Sequence, residues 1–357
     1  MIYYIFAVLF PLLIKHINHE NQCKLTDLSD TQALRRRKAW VYFAALPMFV
    51  LIAFRSASIG PDTGVYRWMF THIIDKDWSV LQSGERVEIG FLVFEKMVSL
   101  FTTDEFVYQI ICAIIYFVSV VEFACNFKGV EFDFLYLYGT LGLYKFMFTG
   151  VRQCLAMCIC LWSFRFIKKR KFIGFIALLA LAFTFHKSSI LFLPAYFLYN
   201  RKKSSVISLL MTLFIIVLPF ITQGLQAWMA SFLSYDYIEI ESIQNGYLTF
   251  MCILIISVFS IYMIINQASV EKVDAIRKLN NISYLTLAFW TMRLITRVAE
   301  RPSYYFMFFT MVVFAYCLNL INECRNRIMI KLVAYSLTFI LFVYKMNVSL
   351  YVPYSFN

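Results

Sequence analysis

Long apolar runs constrain this chain more than any other feature. Ala39–Phe54, Phe106–Ala124, Val206–Ile221 and Tyr247–Ile265 are examples. An α-helix needs about 20 predominantly apolar residues to cross about 30 Å of hydrocarbon, and these runs approach that length. A membrane β-barrel would instead show short alternating segments, and the runs do not alternate. Hydrophobic residues make up 61% of the 357 positions and charged residues 15%, whereas a soluble domain sits nearer half apolar and a quarter charged. The expected fold is an all-α integral membrane protein, a single polytopic membrane domain over 1–357. It has about 12 transmembrane helices plus a short interfacial or re-entrant helix in the first outer loop.

The formal net charge of +12 would fit nucleic acid, but the position of the charges argues against it. Basic residues cluster between apolar runs, at Arg35–Lys38, Lys168–Lys171, Arg201–Lys203, Arg277–Lys278, and Arg325 with Arg327. Short Lys/Arg-rich loops stay on the cytoplasmic side, so nucleic acid is not an expected partner. Met1–Ile14 lacks a basic start and a small-residue cleavage site, and reads as a retained helix. The nine cysteines form no CxxC pair. They read as buried, inert thiols, so no metal and no cofactor is expected.

Charge and parity give a topology. The inner loops are about 18–38, 168–171, 200–204, 267–281 and 322–328. The outer loops are about 55–101 and 222–246. An odd number of crossings must separate Arg55–Glu88 from Lys168–Lys171, yet four apolar stretches compete: Ile89–Phe101, Phe106–Ala124, Phe132–Phe148 and Val151–Ile167. Ile89–Phe101 is the weakest, being short and carrying Glu95-Lys96 at its centre. A segment of that kind reads as interfacial or re-entrant. Both termini then lie outside, as does Arg152. In the second outer loop Tyr235, Asp236, Tyr237, Glu239 and Glu241 mix rings and acids. That mixture suits a sugar and equally an ordinary solvated loop.

Charges near hydrocarbon are costly, so they usually pair or do work. Four groups fall on the outer side. Arg55 precedes Gly60-Pro61-Asp62; the Gly-Pro pair marks a turn, and Asp62 then stands where it caps a short helix. Glu88 opens the non-crossing segment, where the helix dipole favours it anyway. Arg152 starts an apolar helix and opposes the dipole there, a conflict that either an anionic ligand or an internal carboxylate relieves. His186 follows an apolar helix, as a structural side chain or as a proton carrier near neutral pH. Arg293, Arg297 and Arg301 recur every four residues with Glu300 among them, which puts three cations on one helical stripe. Pairing with Glu300, Asp62 or Glu88 would neutralise them. So would a phosphate, which arginine's planar fork fits bidentately. An outward-facing, arginine-rich cavity for a lipid pyrophosphate joined to a glycan is the expectation. The sequence has no P-loop or Rossmann glycine pattern for a nucleotide.

Five stretches carry a resemblance. They are Arg55-x-x-x-Ile59-Gly60-x-Asp62-Thr63-x-x-Tyr66, Glu88-x-Gly90-Phe91, Arg152-Gln153-x-Leu155-Ala156, Phe185-His186-x-Ser188-Ser189-x-Leu191 and Arg297-x-x-x-Arg301-x-x-x-Tyr305-Phe306. In this order over residues 55–306, the chain resembles the EpsG-like family of Wzy-type bacterial polysaccharide polymerases. Ile89 stands where the family pattern favours proline, and Pro302 follows Arg301. The resemblance implies a multi-pass protein of the bacterial cytoplasmic (inner) membrane with its site facing outward. It implies an enzyme that joins undecaprenyl-pyrophosphate-linked repeat units into O-antigen, capsule or exopolysaccharide, beside a flippase and a chain-length regulator. On that reading Arg55, Arg152, Arg297 and Arg301, with Arg293, bind pyrophosphate. His186 or Asp62 is the catalytic base, and Glu88, Tyr66, Glu300 and Ser188 bind sugar or acceptor or are structural. A lipid-linked oligosaccharide flippase or transporter and a membrane acyltransferase are the competing readings.

Overall fold

In the computed structural model the described residues are 1–22, 30–78, 87–201, 217, 246–266, 272–294, 297–347 and 351–357. They are all-helical, with 82% helix and no strand, so the all-α class holds. Three of their helices, Glu105–Ala124, Tyr247–Asn266 and Cys324–Asn347, are long and apolar enough to cross a membrane. Cys324–Asn347 exposes Ile328, Met329, Leu332, Val333, Leu337 and Ile340, a surface whose natural solvent is hydrocarbon. The aromatic and acidic loop residues Tyr235–Glu241 lie outside the described residues.

The described residues form two compact units. The first comprises Met1–Trp162, Ala180–His186 and Phe339–Asn357. Its helices are α1 (Ile2–Gln22), α2 (Asp30–Ala53), α3 (Thr63–Ile74), α4 (Ile89–Ser99), α5 (Glu105–Ala124), α6 (Glu131–Thr140), the short α7 (Leu143–Phe146), and the start of α8 (Val151–Lys168) with the end of α9 (Phe172–Phe185). α1 packs on α2 and α6, and α2 packs on α5. The basic residues at 35–38 lie on α2 rather than in a loop, and two of them pair with acids on other helices of the unit. Arg37 reaches Glu131 at 3.2 Å and Lys38 reaches Glu122 at 2.7 Å. Lys15 Nζ donates to Asp133, which is fully buried, at 2.6 Å. α6 is buried along its whole length, so its two acids require those cations. The apolar stretch 132–148 is also not one helix: it breaks at Gly142, between α6 and α7.

The turn before α3 sets up the site. Gly60 has φ +88°, and a Cβ there would lie 2.7 Å from the Phe148 carbonyl oxygen. Only glycine adopts that conformation at no steric cost. Asp62 does occupy the N-cap of α3, but its side chain makes no cap hydrogen bond. Thr63 turns its hydroxyl to the carbonyls of Ile59 and Phe148 instead.

α4 has 11 residues, a length of about 16 Å at 1.5 Å per residue, roughly half the hydrocarbon thickness. The charges at its centre find partners within the protein. Glu95 and Lys96 are both buried. Lys96 Nζ donates to the carbonyls of Ile73, Ile74 and Lys76 at 3.2, 2.9 and 2.6 Å, capping the end of α3.

The second unit comprises Ser163–Leu179 and Lys187–Thr338. Its helix Glu300–Asn319 is buried on nearly every side and packs against Lys272–Arg293 and Tyr247–Asn266. Phe306 stacks on Phe289 and Phe192 at 5.8 Å each. Arg277 and Lys278 stand within the helix Lys272–Arg293, and Arg325 and Arg327 within Cys324–Asn347. The basic residues 169–171, by contrast, form the turn between α8 and α9.

Candidate functional site

In the first unit three distant sequence motifs meet at one carboxylate. Glu88 occupies the N-cap of α4 in extended conformation, but its side chain makes no cap hydrogen bond. Arg152, in the first turn of α8, donates through Nη1 to Glu88 Oε2 at 2.6 Å. His186 directly follows α9, and its Nδ1 lies 3.1 Å from Glu88 Oε1. The dipole conflict at Arg152 is thus relieved by an internal carboxylate. The Glu88 and His186 side chains are 7% and 5% exposed and Arg152 is 23% exposed, so Arg152 is the most accessible of the three.

Burial by itself raises the Glu88 carboxyl. The hydrogen bond with His186 and the charges of Arg152 and His186 outweigh that and hold it down at about 2. Glu88 is therefore an anion throughout the physiological range. In its neutral form His186, bonded at Nδ1, carries its proton there and leaves Nε2 as the basic nitrogen.

Gly90 explains how Glu88 reaches His186. A Cβ at Gly90 would lie 2.1 Å from Thr184 Oγ1 and 2.8 Å from the Thr184 carbonyl carbon. Only a glycine lets α4 lie this close to the last turn of α9, two residues before the histidine. Phe91 is fully buried and meets Tyr66 edge-on at 5.9 Å, while Phe94 meets Phe185 at 6.1 Å. Gly90→Ala is expected to cost about 1–3 kcal/mol by overpacking and to separate Glu88 from His186. A lowered melting temperature of the purified protein, together with lost activity, is the measurement; an unchanged melting temperature contradicts the close approach.

A second cluster surrounds Arg55, which is 2% exposed and does not snorkel. Its guanidinium donates to the Ile52 carbonyl and, at 3.1 Å, to Thr63 Oγ1, and lies over the Phe148 ring at 5.3 Å. Sequence reasoning missed Arg67, 5% exposed. It donates to Gln109 Oε1 at 3.0 Å, Asn357 Oδ1 at 2.9 Å and the Arg55 carbonyl at 3.0 Å. The signal was a lone arginine in register with the buried Thr63 and Phe70 of α3. Arg55, Arg67, Tyr66 and Tyr108 line one small cavity. The chain's last residues pair with the same place, Ser56 N donating to Ser355 O and Asn357 N to Phe54 O, each at 3.0 Å.

In the second unit Arg293 is buried and donates to Glu300 Oε2 at 2.9 Å, and Tyr304 donates to Glu300 Oε1 at 2.6 Å. The expected single stripe of three arginines is not formed. The helix carrying Arg293 ends there, Arg297 opens a 3-10 turn, and Arg301 lies in the next helix, exposed. The Arg297 side chain lies outside the described residues. Ser188 Oγ and Tyr305 Oη are 3.1 Å apart and buried.

Fold and clusters together define an all-helical membrane protein with ionised groups buried among its helices. The EpsG family pattern matches residues 38–356, and the chain belongs to the EpsG family. That membership makes it a membrane protein of polysaccharide biosynthesis. Neither the curated proteins nor the solved structures compared with the chain contain a match.

Proposed function

We propose that this protein is a polymerase that joins undecaprenyl-pyrophosphate-linked oligosaccharide repeat units at the outer face of the bacterial cytoplasmic membrane. The observation that carries this reading is the Glu88–Arg152–His186 cluster: a partly accessible guanidinium beside an imidazole oriented by a carboxylate. In the reaction, a hydroxyl oxygen of the acceptor unit bonds to the anomeric carbon of the donor. The bond from that carbon to the pyrophosphate oxygen breaks, and its electron pair leaves with the lipid pyrophosphate. The hydroxyl proton passes to His186, with Asp62 as the alternative base. Arg152 stabilises the charge that accumulates on the departing group, which lowers the transition state more than the ground state. Arg55 adds to the pyrophosphate contacts in the first unit, and Arg293, Arg297 and Arg301 are the second unit's candidates for pyrophosphate. Tyr66, Glu300 and Ser188 bind sugar or support those that do.

The same proposal includes about 12 crossings with both termini outside, and partnership with a flippase and a chain-length regulator. Deletion followed by electrophoresis of surface glycan tests it. Loss of the polymer ladder with single repeat units retained is expected. Loss of every lipid-linked unit from the surface indicates a flippase instead, and a normal ladder lacking acyl groups indicates an acyltransferase.

A further inference from the structure

Among the described residues the one extended backbone pairing is the antiparallel bridge between Arg55 and Phe356. Its hydrogen bonds straddle Arg55. The Ser56 N–H donates to the Ser355 carbonyl and the Asn357 N–H to the Phe54 carbonyl, each at 3.0 Å. The same segment grips the last turn of α2, where the Tyr354 hydroxyl donates to the Leu51 carbonyl at 2.9 Å. Tyr351 meets Phe148 edge-on at 5.7 Å, and the Arg55 guanidinium lies over that same Phe148 ring. Arg55 faces a cavity of about 280 Å³. Its lining residues are buried except Tyr66, so the way in lies beside that ring. A buried cation is costly without an anion, and among the described residues no carboxylate pairs with Arg55.

Asn357 closes this arrangement into a ring. Its Oδ1 accepts from Arg67 Nη1 at 2.9 Å, and Arg67 Nη2 donates to the Arg55 carbonyl at 3.0 Å. Gln109 Nε2 donates to the same carbonyl at 3.0 Å. Hydrogen bonds thus run from the Phe54 carbonyl through Asn357 and Arg67 back to Arg55. Glu105 lies 3.5 Å from Arg67 Nη1, so an Arg67 that loses the Asn357 acceptor has a carboxylate to turn to, away from Arg55. We propose that Asn357 and Arg67 are positioning residues: together they fix the backbone of Arg55 and so keep its guanidinium at the cavity, where it meets an oxygen of the anionic diphosphate. This rests on the proposed function, in which Arg55 contacts pyrophosphate. Positioning of this kind matters because a charged donor displaced by about 1 Å loses much of its effect.

The test is binding of inorganic pyrophosphate to the purified full-length protein, with the melting temperature of each variant measured alongside. The proteins are wild type, Asn357→Pro, Asn357→Asp, Arg55→Ala and the double variant Arg55→Ala/Asn357→Pro. Asn357→Pro removes both the donor to Phe54 and the acceptor for Arg67. It is expected to bind about tenfold more weakly, as for one lost hydrogen bond to a charged group. Asn357→Asp keeps an acceptor for Arg67 and should bind within about twofold of wild type, the scatter of uncoupled changes. In the Arg55→Ala background, Asn357→Pro should change binding by no more than about twofold, because the residue through which it acts is gone. A loss confined to stability would be the same in both backgrounds, and equal weakening in both overturns the inference. Wild-type binding by Asn357→Pro also overturns it. So does Asn357→Asp binding as weakly as Asn357→Pro, since a new carboxylate repels an anion that sits on Arg67 itself. If Asn357→Pro does not fold, Asn357→Ala carries the same cycle, with about threefold expected for the loss of the side-chain bond alone. Wild-type binding by Arg55→Ala instead overturns the underlying reading.

Discussion

Arg152→Ala is expected to abolish chain extension while leaving single repeat units on the surface. Removing a donor aimed at developing charge typically costs about 10²–10³ in rate, and a polymer that needs many successive transfers multiplies the deficit. The side chain donates to Glu88 at 2.6 Å and retains 23% of its exposure, so it links the internal carboxylate to whatever approaches from outside. Arg152→Lys keeps the charge but loses the planar fork that fits two phosphate oxygens, and should give short ladders. Surface-glycan electrophoresis of a complemented deletion strain, at matched membrane levels of each variant, reads both. Full-length ladders from Arg152→Ala would remove the arginine from the chemistry.

Glu88→Gln has the second largest expected effect, because one carboxylate serves two partners. Removing the acid from a buried ion pair typically costs about 3–5 kcal/mol. The depression of its carboxyl from 4.5 to about 2 gives a similar figure, about 3 kcal/mol at 1.36 kcal/mol per pH unit. The sign follows from the direction of the shift. A carboxyl held lower in the folded protein stabilises it above the unfolded value of about 4.5, and that contribution is lost as pH falls toward about 2. Wild type should therefore lose melting temperature over that acid window. Glu88→Gln should start lower at neutral pH and change less across it. Parallel curves for the two proteins would show that Glu88 is not the group whose pairing is lost.

Much of the fold was legible because helix formation and partition into hydrocarbon depend on local composition. Within the described residues the apolar runs announced helices, whereas Val206–Ile221 lies almost wholly outside them; the weak segment at 89–101 proved to be a short helix, and Arg152 stands in the first helical turn expected of it. The misreadings concern breaks and partners. Glu95-Lys96 showed two charges but not their partners: Lys96 completes the end of α3 and Glu95 lies against Tyr108. The period of four at Arg293, Arg297 and Arg301 pointed to a continuous helix, which the chain does not form there. Arg67 carried too faint a signal, since a single cation in a short amphipathic helix is common on any surface.

By its own pattern the sequence determined that this chain is a helical membrane protein of the EpsG family, and which few polar residues it places among apolar ones. It did not determine who neutralises whom. Glu88 lies 64 positions from Arg152 and 98 from His186, and no local rule couples residues so far apart. Tertiary packing decided that, by bringing α4 against the end of α9 through the missing side chain of Gly90. A buried charge must find its opposite wherever the helices bring one within reach, and that distance is a property of the whole bundle.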